Sequence, residues 1–213
     1  WLFDAFAGDQ CSVGVAMTME MPQGRNTVYF NFRKIQGDTD LTGLPNDWSQ
    51  HTDRWENIEV IPLKLTIRLD LEDRNFHQET SLTPDAERHF IKHTAILPRE
   101  PGFSFEPCQD RHLTARATEG NFHSEPECCR GIAHPVEATR GQPCSGDAFS
   151  PGWFDITLEE DKPVDLCVSA EPGEAQIPES GFQHLKTETE NSKDAWTLLG
   201  ENLRQALRAF VVR

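Results

Sequence analysis

From Cys11 to Met21 the odd positions are Cys11, Val13, Val15, Met17, Met19 and Met21, and the even ones are Ser12, Gly14, Ala16, Thr18 and Glu20. A period of two predicts a half-buried strand, because successive side chains of a strand point to opposite faces. Residues 22–26 (Pro22, Gln23, Gly24, Arg25, Asn26) have turn chemistry. Val28, Phe30 and Phe32 then alternate with Tyr29, Asn31 and Arg33. The two runs predict a hairpin. A polar stretch over 38–56 predicts a long loop carrying Trp48 and Trp55.

The strictest alternation follows. Ile61, Leu63, Leu65, Ile67, Leu69 and Leu71 fall on one face, and Lys64, Thr66, Arg68 and Asp70 on the other. This predicts the longest strand, in an antiparallel sheet with one wetter face. Shorter strands are expected over 102–105, 113–117, 132–138, 153–158 and 164–168, each bounded by Gly, Pro or Asp. Gly37, Gly102 and Gly120 are expected as turn residues. Thr83 followed by Pro84, Asp85 and Glu87 is a helix-start pattern, giving a short helix over 84–93. Trp196, Leu199, Leu203, Leu207 and Phe210 recur at spacings of three and four, the apolar face of a terminal helix. Residues 171–193, rich in Glu, Pro, Gly, Ser and Thr, predict a linker before it. Many strands and few helices imply an all-β fold, a large antiparallel β-sandwich followed by a C-terminal linker helix. The expected division is a β-sandwich domain over 1–185 and a linker and helix over 186–213.

Charge narrows the partners. The 213 residues carry 20 basic and 35 acidic side chains, a net charge of −15. An acidic chain lacks the basic face that displaces phosphate counterions, so nucleic acid is not an expected partner. Anionic membrane surfaces are disfavoured for the same reason. The mean hydropathy is −0.58, and no run approaches the roughly 18 apolar residues of a membrane span. A neutral, polyhydroxylated ligand would not be repelled. Six cysteines are sparse for a disulfide scaffold of this length and fit reduced, cytoplasmic thiols.

Candidate chemistry is thin. With 35 acids, any carboxylate pair can be picked out, and spacing along strands does not bring two together. His89 and His93 have the i,i+4 spacing of helical metal ligands, but Phe90 stands where a zinc protease carries glutamate. Two solvated histidines are the expectation. Cys128 and Cys129, near His123 and His134, lack a C-x-x-C spacing and would point to opposite faces of a strand. No metal or cofactor is expected. Neither G-x-S-x-G nor a phosphate-binding glycine loop occurs. Trp48, Trp55, Phe76 and Trp153 sit in or near loops and strand ends, where an aromatic plane can stack on a sugar ring.

Several segments resemble one family, the N-terminal domain of prokaryotic glycogen debranching enzymes of the amylo-α-1,6-glucosidase type. They are residues 21–29 (MPQGRNTVY), Leu69 through Arg74, Asn75, Phe76 and His77, residues 136–141 (VEATRG), residues 147–154 (DAFSPGWF) and residues 203–213. They occur in the family's order and touch most of the chain. At position 75 an asparagine replaces the family's usual aspartate. The resemblance implies a supersandwich-type β-domain, non-catalytic by itself, that packs against an (α/α)6 catalytic domain of the same polypeptide. It implies α-glucan substrates such as glycogen, with the catalytic carboxylates elsewhere. Family members carry a further opening before the equivalent of Trp1 and continue past that of Arg213, so an interior slice of a longer enzyme is expected. A free-standing α-glucan-binding module is the alternative.

The expected substrate-binding or domain-interface residues are Arg74, Phe76, His77, Glu137, Arg140 and Trp153. Arg74 and His77 follow the longest strand and so belong near a sheet edge or loop mouth. Arg140 can fork to Glu137 or Asp147, and the pairing with Asp147 is expected to pin the turn at 149–152.

Overall fold

A computed structural model describes residues 2–6, 12–22, 24–35, 62–74, 78–159 and 162–171. In chain order the elements are β1 (Leu2–Phe6), β2 (Ser12–Glu20), β3 (Thr27–Ile35), β4 (Leu63–Arg68), α1 (Pro84–His93), β5 (Thr94–Ile96), β6 (Gly102–Cys108), β7 (Arg111–Ala117), β8 (Asn121–Ala133), α2 (Pro135–Thr139), β9 (Ser145–Leu158) and β10 (Val164–Ser169). They form a seven-stranded sheet in the order β1-β2-β3-β10-β7-β6-β5 and a three-stranded sheet in the order β4-β9-β8. Every strand pairing is antiparallel. The all-β sandwich is therefore the architecture. β10 is inserted between β3 and β7, with Leu166 opposite both Phe30 and Ala117, so distant parts of the chain close one sheet.

The two sheets share one core. Phe103 of β6 packs on Phe122 of β8 and Phe154 of β9, at ring-centroid distances of 5.3 and 6.4 Å. Val15, Phe32, Ala115, Val164 and Leu166 join from the larger sheet, and Ile156 and Leu158 from the smaller. The alternation that predicts strands is the one that fills this core. Leu63, Leu65 and Ile67 turn inward, and Lys64, Thr66 and Arg68 outward. The continuous ladder of β4 ends at Arg68, and pairing resumes only at Leu71, which exchanges backbone hydrogen bonds of 2.7 and 2.9 Å with Phe149. Ile61, the first residue of the expected eleven, lies outside the described residues.

α1 begins and ends as expected. The Thr83 hydroxyl accepts from the Ala86 N–H, and Pro84 occupies the first turn, where its missing donor costs nothing. Its buried Phe90 lies between Phe105 and Phe149, 5.1 Å from each and nearly parallel to both. The helix therefore closes one edge of the sandwich.

Two expectations are corrected. Residues 135–138 are helical rather than extended, because Pro135 cannot donate to a ladder but suits the first position of α2. Gly102 opens β6 rather than a turn. A Cβ there would lie 2.2 Å from the Ala115 carbonyl, so glycine permits the close approach of β7. The loop over 38–56, Trp48, Trp55, the linker from 172 onward and the terminal helix lie outside the described residues.

Candidate functional site

The segment leaving β4 and the connection from β8 through α2 to β9 meet at one rim of the small sheet. Asp147 fastens them. Its backbone N–H donates to Thr80, while its carboxylate accepts from the Leu82 N–H at 2.9 Å and the Gly131 N–H at 3.0 Å. Arg130 adds its charge at 3.8 Å and donates to the Leu82 carbonyl. Asp147 is thus occupied by two backbone amides and Arg130. Arg140 instead pairs with Glu137 at 3.1 Å, one turn back at the exposed end of α2. The expected Arg140–Asp147 pin is not formed, and 149–152 are strand rather than turn. The reason is local: three residues along α2 bring Glu137 and Arg140 together.

The donor bonds lower the Asp147 carboxyl below its ordinary range, the Leu82 N–H first and the Gly131 N–H second. A depressed folded-state value stabilises above the unfolded value of about 3.9, and the gain is lost as pH falls through the folded value. Asp147→Asn is expected to lower Tm at pH 7, and the gap to the parent should narrow below about pH 4. Calorimetry from pH 7 to 2 checks this; a gap that stays constant would show that the charge of Asp147 is not what holds the rim.

Arg74 is held by Glu72 and donates to the Gln78 carbonyl at 2.7 Å. The Glu72 hydrogen bond raises the Arg74 guanidinium above its usual value, and the charges of Glu72, Glu79 and Glu137 add to the effect. Glu79 lies 3.4 Å from His134 Nδ1, and both side chains are about a fifth exposed. Gly146 makes room for this pair, since a Cβ there would sit 2.7 Å from the Glu79 carboxylate. Three of the expected site residues, Arg74, Glu137 and Arg140, therefore share one rim with Glu72, Glu79 and His134. The last three carry no motif, and only their meeting in space marks them. Phe76 and His77 lie outside the described residues. The rim offers carboxylate acceptors and guanidinium donors, the groups that bind hydroxyls or pair across a domain interface.

Trp153 stands apart, on the solvent face of β9, with Arg68 of β4 and His123 of β8 directly beside it. The seven residues from Gly146 to Trp153 put roughly 20 Å of strand between it and the rim. Elsewhere, His89 and His93 stack at 4.5 Å on α1, His93 bonds the Glu106 carbonyl, and Asp73 is 4.0 Å from His89. Cys128 packs on the core, while Cys129 lies 3.9 Å from Asp70 on the other face; burial raises both thiols. Among the described residues, no three His, Cys, Asp or Glu side chains are placed to hold a metal ion. No described helix is long and apolar enough to cross a membrane.

A family model described as "Glycogen debranching enzyme N terminal" matches residues 10–165. Comparison with curated proteins and with solved structures returned no match.

Proposed function

Because the chain belongs to the glycogen debranching enzyme N-terminal family, we propose that it is the non-catalytic N-terminal domain of an α-1,6-glucosidase. In this reading residues 1–185 are the β-sandwich, and 186–213 lead toward an (α/α)6 catalytic domain of the same polypeptide. The sandwich packs against that domain, and the rim of Arg74, Glu137 and Arg140 borders the α-glucan site. Phe76 and His77, adjoining Arg74 in sequence, belong to the same border.

One observation carries the reading. Arg74 and the Glu137–Arg140 pair come from segments more than sixty residues apart, and Asp147 fastens both segments at one edge. The surrounding charges are mixed and mostly exposed, which suits an interface with a neutral polyol. The described cysteines Cys108, Cys128, Cys129, Cys144 and Cys167 are unbridged, in keeping with a reducing, cytoplasmic setting.

Kinetics test the proposal. In a polypeptide carrying this domain and the catalytic domain, the Arg74→Ala/Arg140→Ala variant is expected to raise KM for a branched limit dextrin about tenfold while leaving kcat near its parent value. Release of glucose from limit dextrin by the 213-residue chain alone would overturn the non-catalytic assignment. An unchanged KM in the double variant would remove the rim from the glucan site.

A further inference from the structure

The outward face of the β4–β9–β8 sheet has a composition that neither the core nor the rim requires. Trp153 occupies its middle strand. The His123 ring lies beside the indole, 5.5 Å between centroids and 22° from parallel. Neighbouring strands are about 4.8 Å apart, so the two rings form a shelf across half the sheet. Phe154, next along β9, turns inward to the core, and Trp153 is left on the polar side.

Planar polar groups ring the shelf. Asp155 accepts from the Thr66 hydroxyl at 3.0 Å and lies 3.1 Å from His123 Nε2. Arg68 spans β9 to reach Glu127 at 3.2 Å and also pairs with Asp70 at 3.0 Å. These side chains hold one another in place, yet His123, Asp155, Arg68 and Glu127 are each between 45% and 66% exposed. Their capacity is not used up, since a carboxylate offers about four lone-pair sites and a guanidinium five N–H donors.

The charges on this face are mutually compensated, so it has no net field to gather an ion. The chain as a whole, at −15, repels polyanions. What remains is a neutral ligand with an apolar face to lie on the shelf and hydroxyls at its edge for the carboxylates, the Thr66 hydroxyl and the guanidinium. A pyranose ring has both. We propose that the solvent face of the β4–β9–β8 sheet is an α-glucan-binding surface, separate from the rim, with Trp153 and His123 as the stacking shelf and Asp155, Thr66, Arg68 and Glu127 as the hydroxyl partners. The choice of α-glucan among neutral glycans rests on the function proposed above; the shelf itself does not. Such a surface would hold a branched polymer against the enzyme while its branch is processed.

Affinity electrophoresis of the 213-residue chain in gels containing glycogen, with dextran gels as the α-1,6-linked control, tests this. The parent chain and the Arg74→Ala/Arg140→Ala variant should be retarded by glycogen and not by dextran. Trp153→Ala should weaken glycogen binding at least about tenfold, and Asp155→Asn about threefold. Near-ultraviolet circular dichroism verifies that each variant is folded; if Trp153→Ala is not, His123→Ala and Asp155→Asn carry the comparison. An unretarded parent chain, equal retardation by dextran, or folded shelf variants that bind glycogen like the parent would each overturn the proposal. Retardation lost in the rim variant alone would also overturn it, and would leave the rim as the glucan site. Loss in the shelf variants, together with an unchanged KM in the rim variant of the longer polypeptide, would uphold the shelf and reject the rim.

Discussion

Replacing Gly152 by alanine is expected to destabilise the domain by about 3 kcal/mol or more, through backbone strain and a clash. The φ angle there is +145°, where a side chain is rarely tolerated. A Cβ would sit 1.9 Å from the His123 carbonyl and 3.0 Å from the Glu125 N–H. Both are backbone atoms of β8, so no rotamer change relieves the contact, and β8 must separate from β9. The register at this point places Ser124 opposite Gly152 and His123 opposite Trp153. The damage therefore falls on the stacking shelf as well as on stability. Gly131 supplies the comparison. Its φ of +68° is also left-handed, but nothing lies within 4 Å of a Cβ added there, so Gly131→Ala should cost only about 1–2 kcal/mol. Thermal melts of the two variants check the difference. A Gly152→Ala chain that melts with or above Gly131→Ala would contradict the close approach of β8 and β9.

Phe103→Ala should cost about 3–5 kcal/mol, the usual range for emptying a buried phenylalanine site. That is a large share of the roughly 5–15 kcal/mol that holds a domain folded, and it should lower Tm by about 10 °C. Phe103 is fully buried and is the larger sheet's contribution to an aromatic cluster whose other members, Phe122 and Phe154, belong to the smaller sheet. Removing it leaves a cavity at the plane where the sheets meet. Neither sheet can follow the missing ring, because each is tied along its own ladder. Urea unfolding should show a lower midpoint with an unchanged m value. A loss below about 1 kcal/mol would mean that the two sheets do not depend on this cluster.

Much of this architecture can be traced in the chain. The alternation from residue 12 to residue 20 and from 27 to 35 coincides with β2 and β3, and the Thr83-Pro84 start with α1. These segments are legible because the same side chains satisfy both the local period and the core. β8 is not legible in that way. Its thirteen residues, NFHSEPECCRGIA, are mostly exposed, contain a proline and do not alternate. The register slips between Ser124 and Glu127 and again between Cys129 and Ile132, so an even-odd pattern has nothing to follow. What holds β8 is its long ladder with β9. β5, three residues long, is likewise defined only by its partner β6.

The candidate site divides along the same line. Arg74, Glu137 and Arg140 can be nominated from sequence through family resemblance, and the structure gathers them at one rim. Their partners cannot be. Arg140 was expected to pin Asp147, yet Asp147 is bound by the Leu82 and Gly131 amides, which no side-chain pattern reveals. Glu79 and His134 are unremarkable until Gly146 lets them close on each other.

By itself, then, the sequence determined the all-β class, the first helix, the family and the acidic character that suits a neutral ligand, because periodicity, capping and net charge are properties of consecutive residues or of their sum. Tertiary structure alone decided that β10 closes the large sheet between β3 and β7, that Asp147 fastens the rim, and that Trp153 and His123 lie side by side on a solvent face. Those outcomes depend on ladder register between strands far apart in the chain, where a shift of one residue would turn Trp153 inward and dissolve the shelf.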